Sequence, residues 1–220
     1  LSTPDERPAV VVLISGEGTN LQALIDSARD GRLNARIAAA ISDRRDARGL
    51  ERARRAGIEA VFLGRKEFAD RDAYERALAD TIEAFSPAAV VLAGFMRILG
   101  PGFVRRFEGR MLNIHPSLLP RHRGLDTHRR VLEAGDRRHG ATVHFVTEEL
   151  DAGPAVIQYR ISVRPGDSVE TLVERVHRGE HVILPRATDW LVAGRLRLAG
   201  DDVLLDGERL AGPVVVEEEP

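Results

Sequence analysis

Cysteine is absent from the 220 residues, which excludes disulfides, zinc–thiolate sites and thiol nucleophiles. Lysine is almost absent. Lys66 stands alone in a polar, exposed stretch, so a Schiff-base mechanism has nearly no residue to work with. No apolar run approaches the ~20 residues that cross a bilayer, and the N-terminus lacks the apolar core of a signal peptide. Neither sign of charge dominates: the net charge is −2, against a dedicated nucleic-acid binder. These absences point to a cytoplasmic protein whose partners are small molecules, not nucleic acid or membrane. What is present agrees, since 43% hydrophobic and 30% charged residues make an ordinary globular core. The length suits a single domain over 1–220, with no internal repeat and no linker.

Strand-like and helix-like patterns alternate through the first half. Ala9–Ile14 is a β-branched run of the kind buried on both faces of a parallel sheet. Ser15-Gly-Glu-Gly-Thr-Asn20 follows, and Leu21, Leu24, Ile25 and Ala28 then recur at helical spacing. Strands are expected at 36–41, 59–63 and 88–92, and helices at 47–56 and 72–85. This order predicts right-handed βαβ units around a parallel sheet. Met111–His115 is a further strand, preceded by a short helix over 101–107. Later, Thr127 is a candidate cap for a helix reaching Ala134. Strands at 141–146 and 155–163 pair antiparallel across a turn, Ser168 caps a long helix bent near Pro185, and 196–205 closes as a hairpin. The acidic end, Glu217 to Pro220, reads as disordered.

Three stretches carry chemistry. Side chains alternate along a strand, so Met111, Asn113 and His115 share a face while Leu112 and Ile114 take the other. Asn113 and His115 thus sit together where Pro116 ends the strand, the position at which open α/β sheets bind ligands. An amide donor beside an imidazole can hold a developing oxyanion and hand it a proton. The strand–glycine loop–helix unit at Ser15–Asn20 aims backbone N–H groups and a helix start at an anion. It lacks the Lys-Ser/Thr of a P-loop, and Leu21 replaces the third glycine of a dinucleotide fingerprint. A tight strand-to-helix turn uses glycines in the same way. Ala93–Gly100 is unusually apolar for a loop, with Phe95, Met96, Ile98 and Leu99 around Arg97. Such a loop either lines a pocket for a flat organic ligand or caps the core.

Four segments in order resemble the phosphoribosylglycinamide formyltransferase family, the folate-dependent enzymes of de novo purine synthesis. They are Ile14-Ser-Gly-Glu-Gly-Thr-Asn20, Leu92-Ala-Gly-Phe-Met-Arg-Ile-Leu99, Leu112-Asn-Ile-His-Pro-Ser-Leu-Leu-Pro120 and His144-Phe-Val-Thr-Glu-Glu-Leu-Asp-Ala-Gly-Pro154. The similarity runs from about Val10 to about Leu210. It implies a Rossmann-like formyltransferase fold: a mainly parallel sheet flanked by helices, with an antiparallel C-terminal part. It also implies a nucleotide-phosphate half over about 9–107 and a folate and catalytic half over about 108–210. The implied reaction moves a formyl group from 10-formyltetrahydrofolate, a co-substrate, to the amine of glycinamide ribonucleotide, without metal, in a monomer or homodimer.

The resemblance also assigns residues. Asn113 and His115 stabilise and protonate the tetrahedral oxygen. Asp151 orients His115, favours its charged form and relays the amine proton through a water. Gly18, Thr19 and Asn20 hold the phosphate, with Gly18 leaving room for its approach, and Glu180 meets the ribose. Met96, Arg97, Ile98, Leu99, Asn113, and the turn with Val146, Thr147, Glu148 and Glu149, form the folate pocket. Arg71 meets the glutamate tail. Four positions depart from the pattern: His122 and Arg123 replace an aromatic and a proline common in members, His177 replaces a glutamine, and Ala152 replaces a glycine. Methionyl-tRNA formyltransferase shares Asn-x-His and the downstream Asp but lacks the glycine loop. It typically adds a C-terminal domain for which no room is expected here. Formyltetrahydrofolate hydrolase shares the core and usually adds an N-terminal regulatory domain, not expected before a first strand at Ala9. A ligand-binding module using the glycine loop alone leaves Asn113, His115 and Asp151 without a purpose.

Overall fold

The structure, a computed structural model, describes residues 6–219; most of the polar start, residues 1–5, lies outside them. In chain order the elements are β1 (Ala9–Ile14), α1 (Thr19–Arg29), β2 (Arg36–Ser42), α2 (Arg48–Arg55), β3 (Glu59–Phe62), α3 (Arg71–Glu83), β4 (Ala89–Leu92) and α4 (Pro101–Arg106). They continue with β5 (Met111–His115), α5 (Thr127–Glu133), β6 (Arg138–Phe145), β7 (Ala155–Ser162) and α6 (Val169–Val192). The chain closes with β8 (Leu196–Ala199), β9 (Asp202–Leu205), β10 (Glu208–Arg209) and β11 (Val214–Glu217). The main sheet has the order β11-β7-β6-β5-β4-β1-β2-β3, and β10-β9-β8 form a small antiparallel sheet. Among the described residues β6 alone runs against its neighbours in the main sheet.

The alternation of β1 divides the interior into two layers. Val10, Val12 and Ile14 join the cluster under α1 and α6. Val11 and Leu13 join the one under α3 and α4 with Tyr74, Leu78 and Phe107. Both faces of the strand are therefore dry, as its continuous apolar run predicts. From β1 the chain winds outward to β2 and β3, then returns to β4 on the other side of β1. That reversal is a topological switch point, and it opens a crevice at the C-terminal ends of β1 and β4.

Several boundaries differ from expectation. Helix α1 begins at Thr19 rather than Leu21, so Thr19 and Asn20 belong to its first turn. Asp126 precedes α5 as its N-cap without a side-chain cap bond, and Thr127 is the first helical residue, not the cap. Ser168 does cap α6, in a reciprocal capping box with Thr171. The acidic end is not disordered as far as Glu219. Glu217 closes β11, which pairs parallel with β7, and Glu218 accepts from buried Arg175 at 2.9 Å. An arginine also held by Asp167 and the Ser162 carbonyl needs that carboxylate, and so the tail is drawn into the sheet.

Candidate active site

Strand β5 carries the core of the site as its alternation predicts. Leu112 and Ile114 enter one cluster and Met111 the other, which leaves Asn113 and His115 on the Met111 face. Antiparallel register sets His144 of β6 directly opposite Asn113. The Asn113 amide donates to Nε2 of His144 at 3.1 Å, while Nδ1 of His144 donates to the Phe145 carbonyl at 2.8 Å. A carbonyl only accepts, so this contact places the His144 proton on Nδ1 and leaves Nε2 bare for Asn113. Burial pushes the His144 imidazole down to about 4, so it is neutral at physiological pH. One amide hydrogen of Asn113 is thereby committed, and the second is left for a ligand.

Asp151 completes the group. The turn between β6 and β7 starts beside Met111, where Val146 N–H donates to the Met111 carbonyl at 3.0 Å. It then folds back over the sheet. Asp151, at φ 50°, brings Oδ2 to 3.4 Å from Nδ1 of His115 and Oδ1 to 3.8 Å from Nε2 of His144. The His115 and Asp151 side chains are each only 8% exposed. Asp151 does not serve its own turn; its Oδ2 accepts from the Gly124 N–H at 3.0 Å, across the chain. A buried carboxylate so placed pairs with an imidazolium when His115 is protonated. His144 is a partner that the sequence motifs do not single out, although register offers a signal for it: it is the residue across from Asn113.

The glycine loop lies at the same end of the sheet. Leu13, Leu92 and Asn113 are level across β1, β4 and β5, so two strand spacings, about 10 Å, separate the loop from the β5 pair. Gly18 is the N-cap of α1 at φ 71°. A Cβ there would lie 2.5 Å from Gly49 Cα, in the first turn of α2, so Gly18 is required for loop–helix contact before any question of a ligand. The first turn of α1 presents its free N–H groups with no acidic side chain among them. Asn20 does not face open solvent: its amide donates to Glu180 at 2.8 Å. Glu180 is buried rather than solvated on its helix. Burial raises its carboxyl, with the Asn20 hydrogen bond opposing. His177 stands 3.9 Å from it.

The apolar loop divides between the two roles open to it. Phe95 and Leu99 are buried in the α3–α4 layer, whereas Met96 and Ile98 are 69% and 63% exposed. Arg97 pairs with Asp43 at 2.7 Å, and Asp43 also accepts from Ser15 Oγ at 2.6 Å. Ser15 Oγ accepts from Met96 N–H at 2.8 Å. Ser15, which the glycine motif contains without a role, and Asp43, which no motif contains, thus tie together the loops that follow β1, β2 and β4. Arg71, the first residue of α3, donates to the Ile98 carbonyl at 2.9 Å and pairs with Glu75. In the β6–β7 turn, Val146 is half-buried and Thr147 bonds within the turn. Glu148 pairs with Arg105 and Glu149 with Arg123 at 2.6 Å, so both carboxylates are drawn aside from the turn's backbone.

Residues 9–188 match the formyl transferase family. Over 201 residues the chain is 50% identical to phosphoribosylglycinamide formyltransferase of Escherichia coli (strain K12), covering 91% of this chain and 95% of that protein. It is 47% identical over 197 residues to the trifunctional purine biosynthetic protein adenosine-3 of Bos taurus, covering 90% of this chain and 20% of that one. The solved phosphoribosylglycinamide formyltransferase of Coxiella burnetii superposes with a TM-score of 0.91 at 49% identity, over 95% of this chain and 100% of that one. The chain belongs to the formyl transferases and, within them, to the phosphoribosylglycinamide formyltransferases. No helix among the described residues is long and apolar enough to cross a membrane.

Proposed function

We propose that this protein transfers the formyl group of 10-formyltetrahydrofolate to the amine of N1-(5-phospho-D-ribosyl)glycinamide, in cytoplasmic purine biosynthesis. The observation that carries the reading is the convergence of Asn113, His115 and Asp151 at the sheet end that also bears the glycine loop. A phosphate on the first turn of α1 lets a ribose pass Glu180 and an amide arm reach β5, across about two strand spacings. Met96 and Ile98 offer apolar walls for the flat head of the folate, and Arg71 a cation for its acidic tail. The folate supplies an electrophilic formyl carbon. The free Asn113 N–H and the His115 imidazole stabilise the oxygen that becomes negative as the amine attacks. His115 lends that oxygen a proton, and buried Asp151 holds the imidazolium and, through a water, takes the proton the amine loses. As the carbonyl re-forms, the bond from the formyl carbon to N10 of the folate breaks, N10 leaves with the amine's proton and the oxygen's proton returns to His115.

The test is a formyl-transfer assay with purified protein and both substrates. Transfer is expected, and His115→Ala or Asp151→Asn should lower kcat by roughly 10²-fold or more without unfolding. Formate release at an equal rate without the amine marks a hydrolase and overturns the reading. So does unchanged kcat in both variants.

A further inference from the structure

The loop between β5 and α5 grips both members of the catalytic pair. Nε2 of His115 lies 3.0 Å from the His122 carbonyl, and Gly124 N–H donates to Asp151. The carbonyl can only accept, so this contact puts a proton on Nε2 of neutral His115 and makes Nδ1, facing Asp151, the nitrogen that gains and loses the second one. Without the carbonyl the preference reverses: an Nδ1–H donating to Asp151 is the better-bonded neutral form.

The carbonyl is not held by regular structure. His122 has φ 53°, a left-handed conformation that is strained for an L-residue. The residue that compensates lies outside the site. Asp136, in the link between α5 and β6, accepts from His122 Nε2 at 2.7 Å through one oxygen and from Arg121 at 2.7 Å through the other. Asp136 is itself fixed to the scaffold, its N–H donating to the Val131 carbonyl of α5 at 3.1 Å. Its side chain is 10% exposed and that of His122 13%. The His122 hydrogen bond lowers the Asp136 carboxyl against the opposing effect of burial, with Arg121 adding to it.

We propose that Asp136 is a positioning residue for the transfer: through the His122 side chain it seats the His122 carbonyl on His115 and so selects which ring nitrogen of His115 exchanges its proton. The inference rests on the proposed formyl transfer for its rate consequence but not for its spectroscopic one. His122 thereby acquires a role at a position where the family pattern has an aromatic residue.

The experiment compares parent, Asp136→Ala, His122→Ala, the double variant, Asp136→Asn and Arg121→Ala. Long-range proton–nitrogen spectra of the histidine rings, recorded with His115 in its neutral form, report its tautomer. The parent should show Nε2–H. Asp136→Ala and His122→Ala should both shift the population toward Nδ1–H, with kcat lower by roughly ten- to a hundredfold and both KM values within about twofold. The double variant should be no worse than either single one, because the two residues act as one unit. Asp136→Asn, which can still accept from His122, should retain more Nε2–H than Asp136→Ala, and Arg121→Ala should keep both tautomer and kcat. An unchanged tautomer in a folded Asp136→Ala overturns the proposal, as does a loss of kcat that follows melting temperature alone. If Asp136→Ala does not fold, a folded His122→Ala with the tautomer of the parent overturns it equally. Failure of formyl transfer in the parent would refute the proposed function while the spectra still judge the tautomer.

Discussion

Gly18 offers the sharpest test of how the glycine loop is built. Its φ of 71° costs an alanine about 1–2 kcal/mol. The added Cβ would stand 2.5 Å from Gly49 Cα and 3.3 Å from Gly49 N, both backbone atoms that no rotamer can move. Gly49 cannot retreat freely, since its N–H donates to the Gly16 carbonyl at 3.0 Å and Arg52 Nε donates to the Glu17 carbonyl at 2.8 Å. Overpacking of this kind costs a further 1–3 kcal/mol or so. Gly18→Ala is therefore expected to destabilise by about 2–5 kcal/mol, which for a domain of this size lowers Tm by roughly 4–20 °C. Gly16 is the control: a Cβ added there would meet nothing within 4 Å, and its φ is not positive, so Gly16→Ala should stay within about 1 kcal/mol of the parent. Because the displaced element is the glycine loop proposed to hold the phosphate, and not the proposed folate pocket, KM for the nucleotide should rise in Gly18→Ala while KM for the folate holds. Thermal melts and initial rates with each substrate varied decide it. Equal Tm values for the two alanine variants would refute the packing argument, and equal rises in both KM values would separate the loop from the phosphate.

Two further outcomes follow from the geometry. Burial pushes His128, His139 and His144 down to about 4, 3 and 4 from 6.5, so below about pH 6.5 the unfolded chain binds protons that the folded one refuses. Stability should fall as pH drops from 6.5 toward 4, by up to about 1.4 kcal/mol per pH unit for each such proton, and stay flat from these groups above 7; urea midpoints equal at pH 7.5 and 5 would contradict this. Arg71→Ala removes the cation beside Ile98, so the rise in Tm produced by a folate analogue should shrink more for a ligand with a glutamate tail than for one without. Identical losses for the two ligands would take Arg71 out of the tail site.

The parallel half of the sheet is legible in the sequence because its signals are local. Six consecutive buried residues in β1 and the apolar stripe of α3 announce themselves without tertiary information. Glu217 and Glu218 mislead because an acidic tail carries no local sign that Arg175, buried 43 positions before Glu218, awaits a carboxylate. Thr127 resembles a cap by residue type, but Asp126 takes the left-handed position at φ 58° and α5 starts after it. Asn20 reads as a free donor beside a phosphate; its link to Glu180 spans 160 residues, beyond any spacing rule. A side chain at Gly18 would meet α2 at Gly49, a contact for which the sequence carries no local sign.

The group of Asn113, His115 and Asp151 shows why register, more than motif, assembles this candidate site. Asn113 and His115 share a face through strand alternation alone, but the reversal of β6 is what sets His144 across from Asn113. It also starts the following turn at Met111, the far end of β5. That turn must travel back along β5 to bring Asp151 to His115, and a left-handed Asp151 with a half-buried Ala152 accomplishes the bend. In a wholly parallel sheet the strand after β5 would arrive through a crossover, with its loop at the same edge as the glycine loop. The antiparallel strand instead lets a second segment approach the imidazole from the opposite end of β5. Asp151 and the glycine loop thus reach the same end of the sheet by different routes, while the turn that carries Asp151 also carries Val146 to Glu149, so a change in that turn touches both of its proposed roles.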